Sequence, residues 1–271
     1  MNILHEIAMR TKERIEAQKK ILPFEKLIEC VQSIQTNCLE SIETNDDFPF
    51  EKALKSKDIS FICEIKKASP SKGIIAEVFP YLEIAKDYEI AGAAAISILT
   101  EPYYFKGDNR YLQEIAKVVE VPLLRKDFTV DSYMIYEAKM LGASAVLLIC
   151  SILDRDTLAE YITIAHDLGL SALVETHNEE EIEMALVAGA RIIGVNNRNL
   201  KTFEIDMTLS ERLKKLVPKD VLFVSESGIS SPKEVEALRT LDVDAVLIGE
   251  SIMKSTDKKA EINRLRGDEY G

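Results

Sequence analysis

Short apolar runs of strand length alternate with amphipathic stretches of helix length from Ile59 onward. This alternation is typical of parallel βαβ units, because each helix carries the chain back to the start of the next strand. We predict eight strands, over residues 61–65, 94–99, 121–124, 145–149, 171–174, 192–195, 222–224 and 245–248. Eight such units favour a closed (β/α)8 barrel of the TIM type, in the α/β class, over an open doubly wound sheet.

Helices are predicted between the strands, and glycines mark several of their ends. The predicted helices include residues 81–91, 111–119, 132–141, 155–168, 179–188 and 232–241. Gly92, Gly142 and Gly189 each follow one of these helices. Glycine suits the left-handed conformation in which helices often end, so these positions support the predicted boundaries.

The first 57 residues have a different character from the rest of the chain. They are charged, they contain no convincing strand, and they are interrupted by Pro23 and by the turn cluster Asn45, Asp46 and Asp47. We predict a helical N-terminal extension over 1–57 and the barrel over 58–271. Length alone would allow one domain or two, but the uninterrupted series of units favours a single domain.

Several of the apolar runs end in a charged or amide side chain. Strand side chains alternate in direction, so Glu64 and Lys66 share a face with the apolar Ile62. Charge on that face is costly unless it borders a polar cavity, and barrels of this type carry their active sites at the carboxyl end of the strands. We therefore expect one shared site, formed by Glu64, Lys66, Lys126, Glu175, Asn196 and Glu226.

These six residues are the candidate catalytic residues. Two lysines, three glutamates and an asparagine can transfer protons without a metal ion or an organic cofactor, because a lysine can act as an acid and a carboxylate as a base. Neighbouring titratable groups influence each other's ionisation, so the residue types alone do not assign the steps.

Glycine-rich turns after three strands form a second candidate site, which suits phosphate. They are residues 69–73, the Ser-Gly-Ile turn at 227–229 and the Gly-Glu-Ser turn at 249–251. Glycine lets backbone N–H groups approach an anion, and a short helix that starts at Gly249 would point its positive end at it. Glu250 is expected to contribute its backbone N–H only, with its carboxylate turned away.

Three further side chains are candidates for ligand contact. Arg198 could bind a carboxylate or phosphate, or could simply cap its own loop. Phe105 and Phe128 stand beside strand ends, where an aromatic ligand ring could stack on them, although ordinary loop packing is an alternative.

Composition and charge exclude several classes of function. The 34 basic and 46 acidic residues give a net charge of −12, which argues against sequence-independent binding to nucleic acid or to an anionic membrane. The four cysteines show no CxxC spacing and the three histidines no HExxH motif, so we expect free thiols and no metal site. No GxGxxG motif follows the first strand, and no apolar run is long enough to span a membrane. We expect a cytoplasmic monomer.

The motifs together resemble the indole-3-glycerol-phosphate synthase family. The resemblance covers nearly the whole chain, and seven motifs occur in the order found in that family. They are CEIKKASPSKG at 63–73, SILTEPYYFKG at 97–107, PLLRKDF at 122–128, LVETHNEEE at 173–181, IGVNNRNLKTF at 193–203, VSESGIS at 224–230 and LIGESIM at 247–253.

The resemblance implies an activity and a role for each candidate. The family closes an indole ring on 1-(2-carboxyphenylamino)-1-deoxyribulose 5-phosphate and releases carbon dioxide and water, in tryptophan biosynthesis. Lys126 would protonate the ribulose carbonyl oxygen, and Lys66 would hold the anthranilate carboxylate and protonate the departing hydroxyl. Glu175 would be the base in dehydration, while Glu64 and Glu226 would orient the lysines.

The resemblance also implies binding roles and a cover for the site. Asn196 would bind near the reacting centre, and residues 1–57 would act as a lid over the barrel mouth. Substrate-binding residues would be Ser69, Phe128, Arg198, Ser227 and Leu247, and phosphate-binding residues would be Ser69, Gly228, Gly249 and Glu250.

Two other functions remain open at this point. A sugar-phosphate isomerase or Schiff-base aldolase could use the same scaffold, with Lys126 as an amine nucleophile. A non-catalytic phosphoribosyl-binding barrel would lack one of the candidate lysines or glutamates, yet every position is filled. The allocation of proton donation between Lys66 and Lys126 also stays open.

Overall fold

The computed structural model of the chain describes residues 3–38, 48–199 and 202–267. The predicted turn cluster at 45–47 lies outside the described residues. Within those ranges, eight parallel strands form a barrel. They are β1 Ser60–Ile65, β4 Ala95–Leu99, β5 Leu123–Lys126, β6 Ala145–Ile149, β7 Ser171–Thr176, β8 Ile192–Asn196, β9 Leu222–Glu226 and β10 Ala245–Ile248. The barrel is closed in the order β1-β10-β9-β8-β7-β6-β5-β4, which confirms the predicted fold class.

Helices surround the barrel and precede it. A two-residue hairpin pair, β2 Ala68–Ser69 and β3 Gly73–Ile74, follows β1, and a 3₁₀ turn spans Cys150–Ile152. The helices are α1 Ile3–Ile21, α2 Phe24–Cys38, α3 Pro49–Leu54, α4 Tyr81–Ile90, α5 Asn109–Ile115, α6 Tyr133–Met140, α7 Arg155–Asp167, α8 Glu179–Val187, α9 Thr208–Lys214, α10 Pro232–Thr240, α11 Glu250–Lys254 and α12 Lys258–Arg266.

The boundaries differ from the predicted ones in two informative places. Strands β5, β7, β8 and β9 continue one or two residues past their predicted ends, so Lys126, Glu175, Asn196 and Glu226 lie inside paired strands. The prediction ended each strand with its last apolar residue. Backbone pairing continues through the polar residue that follows, as between Asn196 and Glu226. Helix α5 begins two residues earlier than predicted, because the Asp108 side chain accepts from the Arg110 N–H and caps it.

Alternating strand side chains divide the core into two layers. One layer fills the barrel with side chains such as Ile62, Leu124, Leu173 and Val224. The other lies between the barrel and its helices and includes the neighbouring strand positions, such as Phe223. This confirms the predicted alternation, which directs each polar strand ending inward at the carboxyl end.

The three helices described within the extension, α1, α2 and α3, occupy three different places. The first turns of α1 bring Leu4 and Ile7 against the barrel mouth, whereas α2 packs beside α6, with the ring of Phe24 5.2 Å from that of Tyr136. Helix α3 closes the opposite end of the barrel, where its Phe50 joins the inner layer.

The expectation that residues 1–57 form a lid is therefore wrong for α2 and α3. Glu51 of α3 makes an ion pair of 2.8 Å with Arg191, which stands just before β8 at the amino end of the strands. The Ser60 hydroxyl at the start of β1 donates to the Leu54 carbonyl at 3.4 Å. Apolar side chains of α3 fill the floor of the barrel, and among the described residues of the extension only those of α1 border the mouth.

Candidate active site

A cavity of about 400 Å³ lies at the carboxyl end of the barrel strands. Its walls come from the strand endings, from the loops that follow them and from the start of α1. Every site residue that the sequence predicted lines this cavity. They are Glu64, Lys66, Ser69, Phe105, Lys126, Phe128, Glu175, Asn196, Arg198, Glu226, Ser227, Gly228, Leu247, Gly249 and Glu250.

Lys126 occupies the centre of the cavity floor, between two carboxylates. Its Nζ donates to Glu226 Oε2 at 2.5 Å and to Glu175 Oε2 at 3.2 Å, although the side chain is almost fully buried. Burial alone would lower the pKa of Lys126, but Glu226, Glu175 and Glu64 outweigh it and raise the pKa above its ordinary value. The lysine is therefore a protonated, positively charged donor at any working pH.

Lys126 contacts the Oε2 oxygen of Glu226, and the other carboxylate oxygen, Oε1, is left without a partner among the described residues. Glu226 Oε1 is buried and makes no hydrogen bond with the residues that the structure describes. Burial is the main reason that the pKa of Glu226 rises to about 7, against the lowering effect of Lys126. An acceptor held this way is available to a substrate hydroxyl.

Glycine at 194 makes room for that carboxylate. A Cβ on Gly194 of β8 would collide with Glu226 Oε1 and would lie 3.1 Å from Leu173 Cδ1. The backbone at this position has no positive φ, so glycine is needed for space and not for conformation. The sequence pattern placed Gly194 on the inward face but carried no sign of this role.

The second carboxylate at Lys126, Glu175, is an anion. Burial would raise the pKa of Glu175, but Lys126 and His177 outweigh it and lower the pKa to about 2. The two carboxyl groups that contact Lys126 thus differ in protonation. At neutral pH Glu175 is ionised, whereas Glu226 is near the midpoint of its titration. Such a difference is the usual basis for dividing acid and base roles within a site.

The second lysine, Lys66, forms a separate pair with Glu64. Its Nζ donates to Glu64 Oε1, and both side chains are largely buried. A Cβ on Gly249 would lie 2.5 Å from Glu64 Oε1 and 3.2 Å from Lys66 Nζ. Gly249 therefore lets the loop after β10 approach this pair, and Lys66 stands next to that loop.

Two asparagines organise the loop after β8. Asn196 Oδ1 accepts from the Arg198 backbone N–H at 3.1 Å, which leaves its amide nitrogen for other contacts. Asn197 is buried, and its Nδ2 donates to the Ser225 hydroxyl at 3.0 Å and to the carbonyls of Glu226 and Ser227 at 3.0 and 3.2 Å. Asn197 thus ties β8 to the loop after β9, a role that the sequence prediction missed.

The predicted phosphate loops meet at one side of the mouth. Ser227 and Gly228 have consecutive positive φ angles of 66° and 84°, a backbone arrangement that can aim successive N–H groups at an anion. Ser69 Oγ is 3.4 Å from Ser71 Oγ on the hairpin after β1. Ser251 Oγ is buried and makes no hydrogen bond with the described residues. This serine was not predicted, although the Gly-Glu-Ser turn contains it.

Three cations gather around the Glu250 carboxylate at the same side. Lys254 Nζ lies 2.7 Å from Glu250 Oε1, Lys72 Nζ lies 3.7 Å from the same oxygen, and Arg198 Nη2 lies 3.9 Å from Oε2. Burial would raise the pKa of Glu250, but these cations lower it below its ordinary value. Lys72 and Lys254 line the cavity. Lys72 belongs to the predicted turn at 69–73, whereas Lys254 was missed. The basic pocket that a net acidic protein needs for an anionic ligand is thus present.

An apolar wall faces the polar floor. The rings of Phe105 and Phe128 lie 6.3 Å apart between their centroids, and Leu247 and the α1 residues Leu4 and Ile7 also border the cavity. A ligand with an aromatic ring at one end and a phosphate at the other would match this distribution of surface.

The described residues offer neither a cluster of metal ligands nor a membrane-spanning helix. Among them, no group of three or more His, Cys, Asp or Glu side chains is arranged to hold a metal ion. In the same ranges, no helix has the length and apolar character needed to cross a membrane.

Solved structures match the fold across low sequence identity. The 3-hexulose-6-phosphate synthase from Salmonella typhimurium superposes with a TM-score of 0.64 at 15% identity, over 77% of this chain and 97% of that one. KGPDC from Streptococcus mutans superposes with a TM-score of 0.60 at 11% identity, over 78% and 97%. These similarities concern the fold alone.

Sequence relatives are far closer and cover almost the full length. The family model described as indole-3-glycerol phosphate synthase matches residues 4–265. The chain is 56% identical to the indole-3-glycerol phosphate synthase of Ruminiclostridium cellulolyticum, over 98% of this chain and 99% of the relative. It is 52% identical to that of Endomicrobium trichonymphae, over 97% and 99%. The chain belongs to the indole-3-glycerol phosphate synthase family.

Proposed function

We propose that the chain converts 1-(2-carboxyphenylamino)-1-deoxyribulose 5-phosphate to indole-3-glycerol phosphate, carbon dioxide and water. The observation that carries the proposal is the position of Lys126, a buried ammonium group held between Glu175 and Glu226 on the floor of a cavity with an apolar wall and a cationic rim. The reaction needs an acid and a base close together and an anchor for phosphate, and the cavity offers all three.

The first step forms a carbon–carbon bond and needs an acid. The ring carbon that bears the carboxylate attacks the ribulose carbonyl carbon, and the carbonyl oxygen takes a proton from Lys126 to become a hydroxyl group. The raised pKa of Lys126 keeps that proton in place until the oxygen becomes basic. Glu226 and Glu175 stabilise the cationic ring system that forms.

The later steps release carbon dioxide and water. Loss of the carboxylate as carbon dioxide returns its electron pair to the ring and removes the positive charge. The new hydroxyl group then leaves as water after it takes a proton from Lys66, while Glu175 accepts the proton lost from the adjacent carbon. Lys66 would also hold the carboxylate before it leaves, and Glu64 would orient Lys66 through their ion pair.

Residues at the two ends of the cavity would orient the substrate. Phe128 and Leu247 would pack on the aromatic ring, and Asn196 would bind near the reacting centre. Ser69, Gly228, Gly249 and Glu250 would bind the phosphate, the last three through backbone N–H groups, together with Ser227. Lys72, Arg198 and Lys254 would supply the positive charge around it, with Glu250 as their counter-ion in the unliganded protein.

The geometry favours the lyase over a Schiff-base aldolase. An amine nucleophile must lose its proton, yet two carboxylates hold Lys126 in the ammonium form. Borohydride treatment with substrate present separates the two, because only an aldolase leaves a covalent adduct. A non-catalytic binding barrel has no need of a buried ammonium–carboxylate cluster, which costs desolvation.

We also propose that the protein works as a monomer in the cytoplasm. A single chain supplies every candidate residue and both ends of the cavity, so no second copy is needed to complete the site. A phosphorylated, carboxylated substrate does not cross a membrane unaided, which supports an intracellular site of action. Light scattering at several protein concentrations tests the oligomeric state.

A direct assay tests the proposed function. Purified full-length protein is mixed with the phosphorylated anthranilate substrate, and formation of the fluorescent indole product is followed with time. We expect multiple turnovers without added metal. Absence of product, with the substrate shown to bind, would reject the lyase.

A further inference from the structure

His177 stands immediately behind the candidate base, one residue beyond the end of β7. Its imidazole ring lies between two carboxylates, with Nε2 3.3 Å from Glu175 Oε1 and Nδ1 3.1 Å from Glu181 Oε2. The ring is only 17% exposed. His177 has no role in the chemistry proposed above and was not among the predicted site residues.

The start of α8 holds the ring in place from one side. Glu181 Oε2 accepts from the His177 backbone N–H at 2.8 Å and also contacts ring Nδ1. The Glu181 N–H donates to the side chain of Asn178, the N-cap residue of α8, at 2.8 Å. With its own backbone fixed by the cap, the Glu181 carboxylate sets the orientation of the imidazole.

On the other side the ring faces Glu175. Lys126 Nζ donates to Oε2 of Glu175, and His177 Nε2 lies next to the other oxygen, Oε1. Nε2 is buried and makes no hydrogen bond with the described residues, so the contact with Glu175 is an ion pair without hydrogen-bond alignment. Both oxygens of the candidate base therefore have a cationic neighbour.

Charges alternate along this row of side chains. The order is Glu181, His177, Glu175, Lys126 and Glu226, with carboxylates at both ends and in the middle. Burial would lower the pKa of His177, but its two carboxylate neighbours outweigh burial and raise the pKa to about 10. The ring is thus an imidazolium ion across the physiological range.

Two other titratable groups face the row. The Cys150 thiol approaches the Glu181 carbonyl at 3.7 Å, and burial raises its pKa, so it stays neutral. Glu64 acts on Lys126 and Glu226 from β1 and lies at the far end of the row from His177. Among the groups that shift the pKa of Glu175, Lys126 and His177 are the cations.

We propose that His177 is a positioning residue for Glu175: Glu181 orients the imidazolium ring, and the ring holds the Glu175 carboxylate ionised and aimed at the reacting centre beside Lys126. The proposal rests on the assignment of Glu175 as the base in dehydration. Without the ring, Glu175 keeps one cationic neighbour only. Its carboxyl group then takes up a proton at higher pH, and its Oε1 is free to turn away from the substrate.

The test compares His177→Asn with His166→Asn in the full-length protein. Asparagine keeps a polar side chain at 177 and removes the positive charge. His166 is a matched control because its ring packs on Phe48, 5.5 Å between centroids, at the floor of the barrel. Titration of the Glu175 carboxyl carbon by ¹³C NMR, assigned with Glu175→Gln, is combined with the pH dependence of kcat/KM.

We expect His177→Asn to raise the pKa of Glu175 by at least about 1 unit, since an opposite charge at this distance shifts a carboxyl by about 1 to 3 units. The acidic limb of kcat/KM should move to higher pH by the same amount. At pH 7 we expect kcat to fall about 10- to 100-fold, the scale seen when a residue that orients a metal ligand is lost. We expect KM to change less than about 3-fold. His166→Asn should leave both titrations unchanged.

Two outcomes would overturn the proposal. One is an unchanged Glu175 titration in folded His177→Asn, and the other is a fall in kcat with superimposable pH profiles. Should His177→Asn fail to fold, Glu181→Gln serves instead: the pKa of the His177 ring should fall, and an unchanged ring titration rejects the proposal. The NMR titrations need no turnover, so a wild-type protein that makes no product would reject the lyase assignment while these measurements still report on His177.

Discussion

Lys126 Nζ donates to Glu226 Oε2 at 2.5 Å, although 100 positions of the chain separate the two residues. Their strands are not neighbours in the barrel, since β6, β7 and β8 lie between β5 and β9. The two side chains therefore meet across the inside of the barrel, where both are desolvated. Such a pair behaves as part of one titrating unit and is sensitive to the loss of either member.

Replacement of Lys126 by methionine should abolish most turnover and spare binding. The variant loses the proposed general acid, whose contribution is on the order of 10² to 10⁴-fold, while the phosphate side of the cavity is unaltered. Steady-state fluorescence gives kcat, and calorimetry with inorganic phosphate gives the affinity. Lys233→Met, on the exposed face of α10, is the matched control and should match wild type. Equal losses of turnover and phosphate affinity would instead mark Lys126 as structural.

Glu226→Gln should become more stable relative to wild type as the pH rises. The folded-state pKa of Glu226 is about 7 and its ordinary value is 4.5, so between these pH values the folded protein holds this proton more tightly than the unfolded chain does. The stability that Glu226 contributes is present below about pH 4.5 and is lost by about pH 7, at most about 3 kcal/mol.

Glutamine cannot titrate, so the variant does not lose stability between these pH values as the wild type does. In the folded protein, Lys126 stays protonated and Glu175 stays ionised between these pH values. Neither group therefore adds to the change of stability with pH that Glu226 causes. Thermal unfolding at pH 5 and pH 8 measures the effect, and the Tm of the variant minus that of wild type should be several degrees larger at pH 8. A difference that is constant with pH would contradict the raised pKa.

A single methyl group at Gly194 should impair catalysis without changing any polar residue. The Cβ would occupy the space of Glu226 Oε1 and displace the carboxylate from Lys126. We expect Gly194→Ala to lower kcat by at least about 10-fold, because small misplacements of catalytic groups are costly.

Non-additivity distinguishes this mechanism from general damage to the barrel. In a Glu226→Ala background the collision with Glu226 is absent and only the 3.1 Å contact with the flexible Leu173 side chain remains, so Gly194→Ala should cost little further activity. Kinetics of the four proteins of this cycle provide the measurement. Additive losses would mean that Gly194 acts elsewhere.

Arg14 should hold α1 at the mouth of the barrel. Its Nη2 lies 2.8 Å from Asp127 Oδ2, and Asp127, which directly follows Lys126, also accepts from the Thr100 hydroxyl at 2.7 Å. Arg14 and Arg125 lower the pKa of Asp127 against its burial, so the carboxylate is an anion that needs its partners.

Arg14→Gln should therefore destabilise the protein and loosen the cavity wall that α1 provides. We expect a loss of about 1 to 3 kcal/mol, below the 3 to 5 kcal/mol of a fully broken buried pair because Thr100 and Arg125 remain. Amide hydrogen exchange in α1 should accelerate and KM should rise. Lys12→Gln, at an exposed position of the same helix, should change neither. Unchanged exchange in Arg14→Gln would show that apolar contacts alone seat α1.

The barrel and most of its site could be predicted because both are written in local patterns. Period-two alternation placed Glu64, Lys126, Glu175, Asn196 and Glu226 on the inward face, and the structure places all of them on one cavity. The residues that were missed lack such a pattern. Gly194 acts through the space it leaves, and Asn197 acts through loop contacts that no spacing predicts.

Local patterns were enough to predict the fold class, the direction of each strand side chain and the set of groups that meet at the mouth, because alternation and helix periodicity depend only on neighbouring residues. Which of these groups become partners depends on the closed barrel. Lys126 forms ion pairs with Glu226 and Glu175, and Lys66 forms one with Glu64. His177 lies between Glu175 and Glu181. Protonation follows from burial and from charges a few ångströms away, and both depend on the closure of the barrel, which joins residues distant in the chain.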